Sequence, residues 1–183
     1  QVPSDVFSEF RRLGFHVFRR KLGNSNISGL YVRHPFAGEC ILINYDEDVF
    51  RQRFTLAHEI GHALLDQRDD VELTMKNQRE DGLIEARAYR FASEFLVPRE
   101  LLLKIAPPGG WNPALVLTWA GKLMVNPVVL ARALGEANLI EQREVAAFSR
   151  LRLPRHLKRD PELAVDLSPN SRQRRQELLE RGL

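Results

Sequence analysis

The sequence predicts an α+β fold in which a small mixed or antiparallel sheet packs against helices. Two β-rich runs, residues 28–32 and 40–44, flank a turn-prone segment that reads His-Pro-Phe-Ala-Gly at residues 34–38, a pattern typical of paired strands. Residues 53–65 and 85–97 contain no proline, so continuous helices can form there. Strands followed by a series of helices indicate segregated α and β elements.

The first elements of this fold are short. Residues 4–13 are predicted to form an amphipathic helix, and residues 15–18 alternate as a strand would. The apolar stripe of the helix consists of Val6, Phe7, Phe10 and Leu13.

Residues 58–62 read His-Glu-Ile-Gly-His, an HExxH string inside the first long helix. His58 and His62 lie one helical turn apart on the same face. Two imidazoles so placed can both bind one zinc ion at about 2.0–2.1 Å. Glu59 stands beside the first histidine, where it can act on water as a base rather than bind the metal.

Catalytic zinc usually has three protein ligands, so a third ligand must come from elsewhere in the chain. In the second long helix Glu85, Ala88, Tyr89 and Ala92 share one face. Small Ala88 and Ala92 would allow another helix to approach closely. Glu85 is the candidate ligand, although a solvated carboxylate that suits the helix dipole is the alternative. Glu94 lies about half a rotation further on and faces away.

Residues 51–65 and 85–98 resemble the ImmA/IrrE family of metallopeptidases. In that family HExxH is followed by a helix with the motif E-x-x-A-N-x-F-A-x-x-L-L-M-P. The residues that match it directly are Glu85, Ala88, Phe91, Ala92, Leu96 and Pro98. The resemblance implies that Glu85 is the third ligand. The family usually has asparagine where this chain has Tyr89. Tyr89 is the candidate for orienting a histidine or the glutamate through a contact with that ligand rather than with the metal.

The resemblance implies a minimal zincin-like peptidase fold and a zinc-dependent metalloendopeptidase, with manganese as the alternative ion. Its substrate would be a helix-turn-helix transcriptional repressor, cut to induce stress-response or mobile-element genes. The alternative function is a non-proteolytic regulator or interaction module that keeps the fold. In the peptidase, Glu59 would take a proton from the attacking water and pass it to the leaving amine. The sequence does not choose an oxyanion stabiliser among His16, His34, His156, Tyr31, Tyr45 and Tyr89.

The chain is predicted to divide into a peptidase domain (residues 1–106), a helical helix-turn-helix-like segment (107–149) and a basic tail (150–183). Pro-Pro-Gly-Gly at residues 107–110 marks the first boundary. Residues 112–121 and 127–134 are predicted to form two short helices. Asn126 is expected at the N-cap of the second helix, with Pro127 at its first position.

The function of this helix pair is open between DNA reading and a structural or protein-docking role. The second helix starts with the apolar residues Val128, Val129 and Leu130, and only Asn126 and Arg132 are available for bases. We therefore favour the structural or docking role over sequence-specific DNA binding.

Two charged segments are predicted to be solvated. Residues 66–82 form a charged connection, for which substrate gating is the minority alternative. The tail from Arg150 is rich in arginine, and a helix is expected from about residue 170.

Composition favours a cytoplasmic protein. The chain has 183 residues, 44% of them hydrophobic, and a formal charge of +3, so a packed core is feasible and nucleic acid binding is not implied by charge. No apolar run is long enough to span a membrane, and no signal peptide is recognised. The lone Cys40 excludes an internal disulfide and is expected to be buried. Because the chain begins with Gln1, the sequence leaves open whether a domain precedes it.

Overall fold

The computed structural model describes residues 5–23, 26–65, 82–158, 160 and 177. It has an α+β fold with a mixed sheet, which confirms the predicted class. In chain order the elements are α1 (Val6–Arg12), β1 (His16–Arg20), β2 (Gly29–His34), β3 (Gly38–Asn44), α2 (Val49–Leu65), α3 (Gly82–Leu96), α4 (Arg99–Ile105), α5 (Pro113–Leu123), α6 (Pro127–Glu136), α7 (Gln142–Phe148) and a short 3-10 helix (Arg155–Leu157).

The sheet has three strands in the order β1-β3-β2. The central strand β3 is parallel to β1 and antiparallel to β2. The β2–β3 connection is the predicted turn, which ends at Gly38 with φ of +80°, a conformation that favours glycine. The buried face of the sheet includes Val17, Tyr31, Ile41 and Ile43, and α2 packs against it.

Helix α1 is shorter than predicted. Asp5 caps it by accepting a hydrogen bond from the Ser8 backbone N–H at 3.0 Å. Val6, Phe7 and Phe10 are buried as expected, but Leu13 is 71% exposed. The prediction for Leu13 was wrong because the helix ends at Arg12, and the helical spacing no longer directs the next side chain towards the core.

Helices α2 and α3 are both present and pack closely. Asp48 caps α2 by accepting hydrogen bonds from the backbone N–H groups of Phe50 and Arg51, each at 3.1 Å. A Cβ atom placed on Gly61 would lie 3.0 Å from the Cα of Ala88. This confirms the predicted close approach at Ala88 and shows that a glycine on the opposite helix makes it feasible.

Two further helices, α4 and α7, were not predicted. Pro98 ends α3 as expected, and α4 begins directly after it. The Glu94 carboxylate accepts a hydrogen bond from the Arg99 backbone N–H at 3.0 Å, so this outward-facing residue stabilises the start of α4. Helix α7 packs beside α6 and starts with a capping box between Glu141 and Glu144.

The predicted helix pair is α5 and α6. Asn112 caps α5 by accepting a hydrogen bond from the Leu115 backbone N–H at 3.0 Å. Met124 then adopts a left-handed conformation with φ of +55°, and the two helices are bent by 107°, within the range of helix-turn-helix motifs. Asn126 is the N-cap residue of α6, but its side chain caps no backbone group; it accepts a hydrogen bond from Lys158 at 2.6 Å.

The core is continuous from the sheet to α6. The buried cluster contains residues of α1, the sheet, α2 and α3 together with Val116, Ala120, Val129, Leu130 and Leu134. The apolar start of α6 is therefore used largely for packing. The domain boundaries at residues 106 and 149 stay predictions.

Three remaining predictions concern Cys40, the charged segments and membrane spans. Cys40 is half-buried rather than fully buried, because it lies near the start of β3 beside the partly exposed Glu39. The connection at residues 66–81 and the expected tail helix lie outside the described residues, Glu177 excepted. Among the residues described, a single helix long and apolar enough for a membrane is not found; only α5 and α6 taken together meet that length and composition test.

Candidate metal centre

Three side chains from two helices converge where α2 and α3 face each other. The Nε2 atoms of His58 and His62 lie 3.1 Å apart. The Glu85 carboxylate approaches both, at 3.2 Å from His58 Nε2 and 3.3 Å from His62 Nε2. These three residues form the one cluster of His, Cys, Asp or Glu in the described part of the chain that could hold a metal ion.

The spacing of these side chains is compatible with one shared ion. Bonds of about 2.0–2.1 Å place neighbouring tetrahedral ligand atoms roughly 3.3 Å apart. The two histidine Nε2 atoms are 3.1 Å apart, and the two Glu85 oxygens each approach one of them, Oε2 at 3.2 Å from His58 and Oε1 at 3.3 Å from His62. The structure therefore brings together the three residues that the sequence selected.

Electrostatics favours the ionised form of the glutamate. The hydrogen bond with His58 holds the pKa of Glu85 below its usual value, although partial burial opposes this effect. The His62 side chain is 1% exposed and that of Glu85 is 42% exposed. The site thus combines a buried histidine with a carboxylate that remains accessible, which suits a centre that must admit a substrate.

Glu59 lies at the same cleft without belonging to the ligand cluster. It is 1% exposed, and strand β2 passes directly beside it. A Cβ atom on Gly29 would come 3.0 Å from Glu59 Oε1 and 2.6 Å from Thr55 Cγ2. Any other residue at position 29 would displace the carboxylate, so Gly29 positions Glu59 through close backbone approach.

Arg53 joins the catalytic helix to the helix pair. Its side chain is fully buried, and its Nε donates a hydrogen bond to the Met124 carbonyl at 3.1 Å. Burial lowers the pKa of Arg53 to about 10, so the guanidinium stays charged at neutral pH. The hydrogen bond thus ties the α5–α6 turn to α2.

The resulting cleft has a volume of about 360 Å³, within the usual range of ligand sites. It is lined by groups from α2, α3 and α6 and from the residues that precede β2 and α6: Ser28, Arg51, Phe54, Thr55, His58, Glu59, Tyr89, Asn126, Val128, Val129 and Arg132. Of the six candidates for oxyanion stabilisation, only Tyr89 lines this cleft.

Tyr89 packs its ring against Phe54, with ring centroids 5.1 Å apart. No hydrogen bond from its hydroxyl to His58, His62 or Glu85 occurs in the part of the chain described. Its role in orienting a ligand stays a prediction, and the ring contact shows instead that Tyr89 forms part of the wall.

Several residues at this cleft could not be selected from the sequence as parts of the site. Gly29 and Gly61 carry no chemical signal, and each acts by letting backbone approach a neighbour. Val128, Val129 and Arg132 were assigned to a separate segment, and only the packing of α6 brings them beside His58. No local pattern marks such residues.

The fold and the His-His-Glu centre define a metallopeptidase-type protein. Residues 10–134, more than half of the chain, match a peptidase family described as the IrrE N-terminal-like domain. The chain therefore belongs to the ImmA/IrrE family.

A curated relative is the radiation response metalloprotease IrrE of Deinococcus radiodurans. It is 39% identical to this chain over 77 residues, which cover 38% of this chain and 24% of the relative. The match thus spans about a quarter of the relative's length.

Proposed function

We propose that this protein is a metal-dependent endopeptidase of narrow specificity and that its substrate is a DNA-binding repressor. One observation carries the proposal: a buried carboxylate, Glu59, lies next to a His-His-Glu triangle of ligand spacing at the floor of an open cleft. A metal site with only a structural role has no need of an additional base beside it.

Each residue has a distinct role in this proposal. His58, His62 and Glu85 hold the ion, which is zinc, with manganese as the alternative. The bound ion supplies Lewis acidity, so that water becomes nucleophilic near neutral pH. Glu59 accepts the proton of the attacking water and returns it to the leaving amine of the peptide. Gly29 keeps Glu59 in place for both transfers.

Tyr89 is the proposed stabiliser of the negative charge that develops on the peptide carbonyl. It lines the cleft together with His58 and Glu59, and a phenol is a suitable hydrogen-bond donor for that charge. Its ring is fixed between Phe54 and the guanidinium of Arg132, which reduces the reorganisation needed during reaction.

The repressor as substrate is inferred from the family resemblance and from the limited size of the cleft. The alternative is a non-proteolytic regulator, which the 107° bend between α5 and α6 favours because it is typical of DNA-binding helix pairs. However, Asn126, Val128, Val129 and Arg132 of that pair line the cleft beside His58. The same residues are therefore placed to contact a peptide, which supports the peptidase.

The test is incubation of the metal-loaded protein with the repressor encoded by the neighbouring gene, followed by mass spectrometry of the fragments. We expect cleavage at one bond, slowed by about 10²–10⁴ in the matched Glu59→Gln variant, which retains the three candidate ligands. An intact repressor would exclude it as the substrate. Cleavage by the variant at a near-normal rate would show that Glu59 is not the base.

A further inference from the structure

The cleft contains an arginine that packs on Tyr89 and to which the proposed chemistry assigns no contact with the substrate. Arg132 lies on α6 with an exposed side chain and lines the same cavity as His58 and Glu59. Its guanidinium stands 5.3 Å from the centroid of the Tyr89 ring, a cation–π arrangement that holds the charge over the cleft. Within the described residues, no carboxylate forms an ion pair with it.

The other cation of the cleft is already neutralised. Arg51 Nε forms an ion pair with Glu47 Oε1 at 2.8 Å, and its Nη2 donates to the Ser28 hydroxyl at 3.1 Å. A substrate carboxylate would have to compete with Glu47 for Arg51. Among the described residues Arg132 has no such carboxylate competitor, so it offers an available positive side chain on the α6 side of the cleft.

Part of the cleft wall is apolar and aromatic. Phe54, Val128 and Val129 line the cleft together with Tyr89. An apolar side chain can bury itself there. Next to such walls the effective dielectric constant is lower than in bulk water, which strengthens the attraction between Arg132 and a carboxylate. Its planar guanidinium can also bind a carboxylate through two hydrogen bonds.

We propose that Arg132 determines substrate specificity, selecting a peptide in which an aspartate or glutamate neighbours a large apolar residue. The apolar residue enters the wall formed by Phe54 and Val128, and the carboxylate pairs with Arg132. This inference rests on the proposed peptidase function. The partner class is thus an acidic-apolar peptide segment rather than the phosphate backbone of DNA.

The test uses matched peptides that differ only in Glu against Gln beside a leucine, together with a Lys version. Dissociation constants are measured on metal-loaded protein carrying Glu59→Gln, and kcat/KM is measured on protein with Glu59 intact. We expect the Glu peptide to bind about tenfold more tightly than the Gln peptide, as for a charge-assisted contact at an accessible site.

Substitutions at position 132 should change this preference in a defined order. Arg132→Ala should abolish it, Arg132→Lys should retain part of it, and Arg132→Glu should favour the Lys peptide. Lys122→Ala is the matched control, because Lys122 stacks on the Trp119 ring at 4.6 Å but lies outside the cleft. Lys122→Ala should leave the relative binding and the relative kcat/KM of the Glu, Gln and Lys peptides unchanged.

The two measurements separate the two proposals. Equal binding of all three peptides, no binding of any, or a Glu preference that survives Arg132→Ala would overturn the role of Arg132. Cleavage without a Glu preference would leave the peptidase function intact while removing this inference. A Glu preference in binding that depends on Arg132, with no cleavage of any peptide, would support Arg132 and refute the peptidase.

Discussion

Replacing Gly61 by alanine tests whether the close approach of α2 and α3 sets the metal geometry. The added Cβ would lie 3.0 Å from Ala88 Cα, 3.2 Å from its carbonyl oxygen and 3.3 Å from its Cβ. Ordinary carbon–carbon contacts need about 3.5–4.0 Å. Two of these three atoms belong to the backbone, so no rotamer change can relieve the contact, and the helices must separate by a few tenths of an ångström.

Two opposing terms decide the effect on stability. Alanine is favoured over glycine within a helix by about 0.8–1.0 kcal/mol, whereas overpacking a tight contact costs about 1–3 kcal/mol. We therefore expect Gly61→Ala to lower the free energy of unfolding of the metal-free protein by about 0–2 kcal/mol.

The effect on metal binding should be larger. His58 and His62 lie on α2 and Glu85 on α3, and their ligand atoms are only 3.2 and 3.3 Å apart across the helix pair. A separation of a few tenths of an ångström reaches or exceeds the tolerance of about 0.2 Å for ligand distances. We expect metal affinity to fall by at least about tenfold, the lower range for a disturbed ligand environment.

The assay combines urea unfolding of the metal-free protein with competition for zinc against a chelating dye. Gly121→Ala is the matched control, since Gly121 also lies in a helix but a Cβ added there would have no neighbouring atom within 4 Å. It should raise stability and leave metal affinity unchanged. If Gly61→Ala, like Gly121→Ala, raised stability and left zinc affinity unchanged, the tight contact between α2 and α3 would not set the geometry of the metal ligands.

Three further outcomes are expected. Protein purified without added metal should contain one divalent ion, which elemental analysis should identify as zinc. Changing His58 and His62 to alanine together should remove this ion, and metal retained by that variant would refute the ligand assignment. Glu59→Gln should keep fold and metal but lose about 10²–10⁴ in cleavage rate, whereas near-normal cleavage would place the base elsewhere. Duplex DNA should bind weakly, without sequence preference, and dissociate steeply as salt rises. A footprint that survives physiological salt and depends on Arg132 would contradict the structural or docking role of the helix pair.

Local patterns predicted most elements well, because caps and helix-breaking residues act within a few positions. Pro98 ended α3, and Asn112 and Pro127 placed the starts of α5 and α6 within a residue or two. The errors occurred where short elements depend on their surroundings. Helix α4 has seven residues and α7 also has seven, too few for a periodic pattern to stand out, so packing and capping stabilise them.

By itself the sequence singled out the two histidines of the candidate metal centre. Helical geometry fixes which residues share a face, so His58 and His62 at spacing i, i+4 could be assigned from the string alone. The position of Glu85 could not, because spacing left a solvated carboxylate equally open, and the family motif was needed to select it. The structure then placed its oxygens 3.2 and 3.3 Å from the two histidines.

Only the tertiary structure decided what surrounds that centre. The hydrogen bond from buried Arg53 to Met124 joins residues 71 positions apart and ties the α5–α6 turn to α2. Gly29 approaches Glu59 across 30 positions. Such placements depend on long-range packing between elements, which no local periodicity encodes. The candidate ligands therefore lie on two helices, whereas the cleft beside them, with Arg132 in its wall, is assembled by the packing of the whole fold.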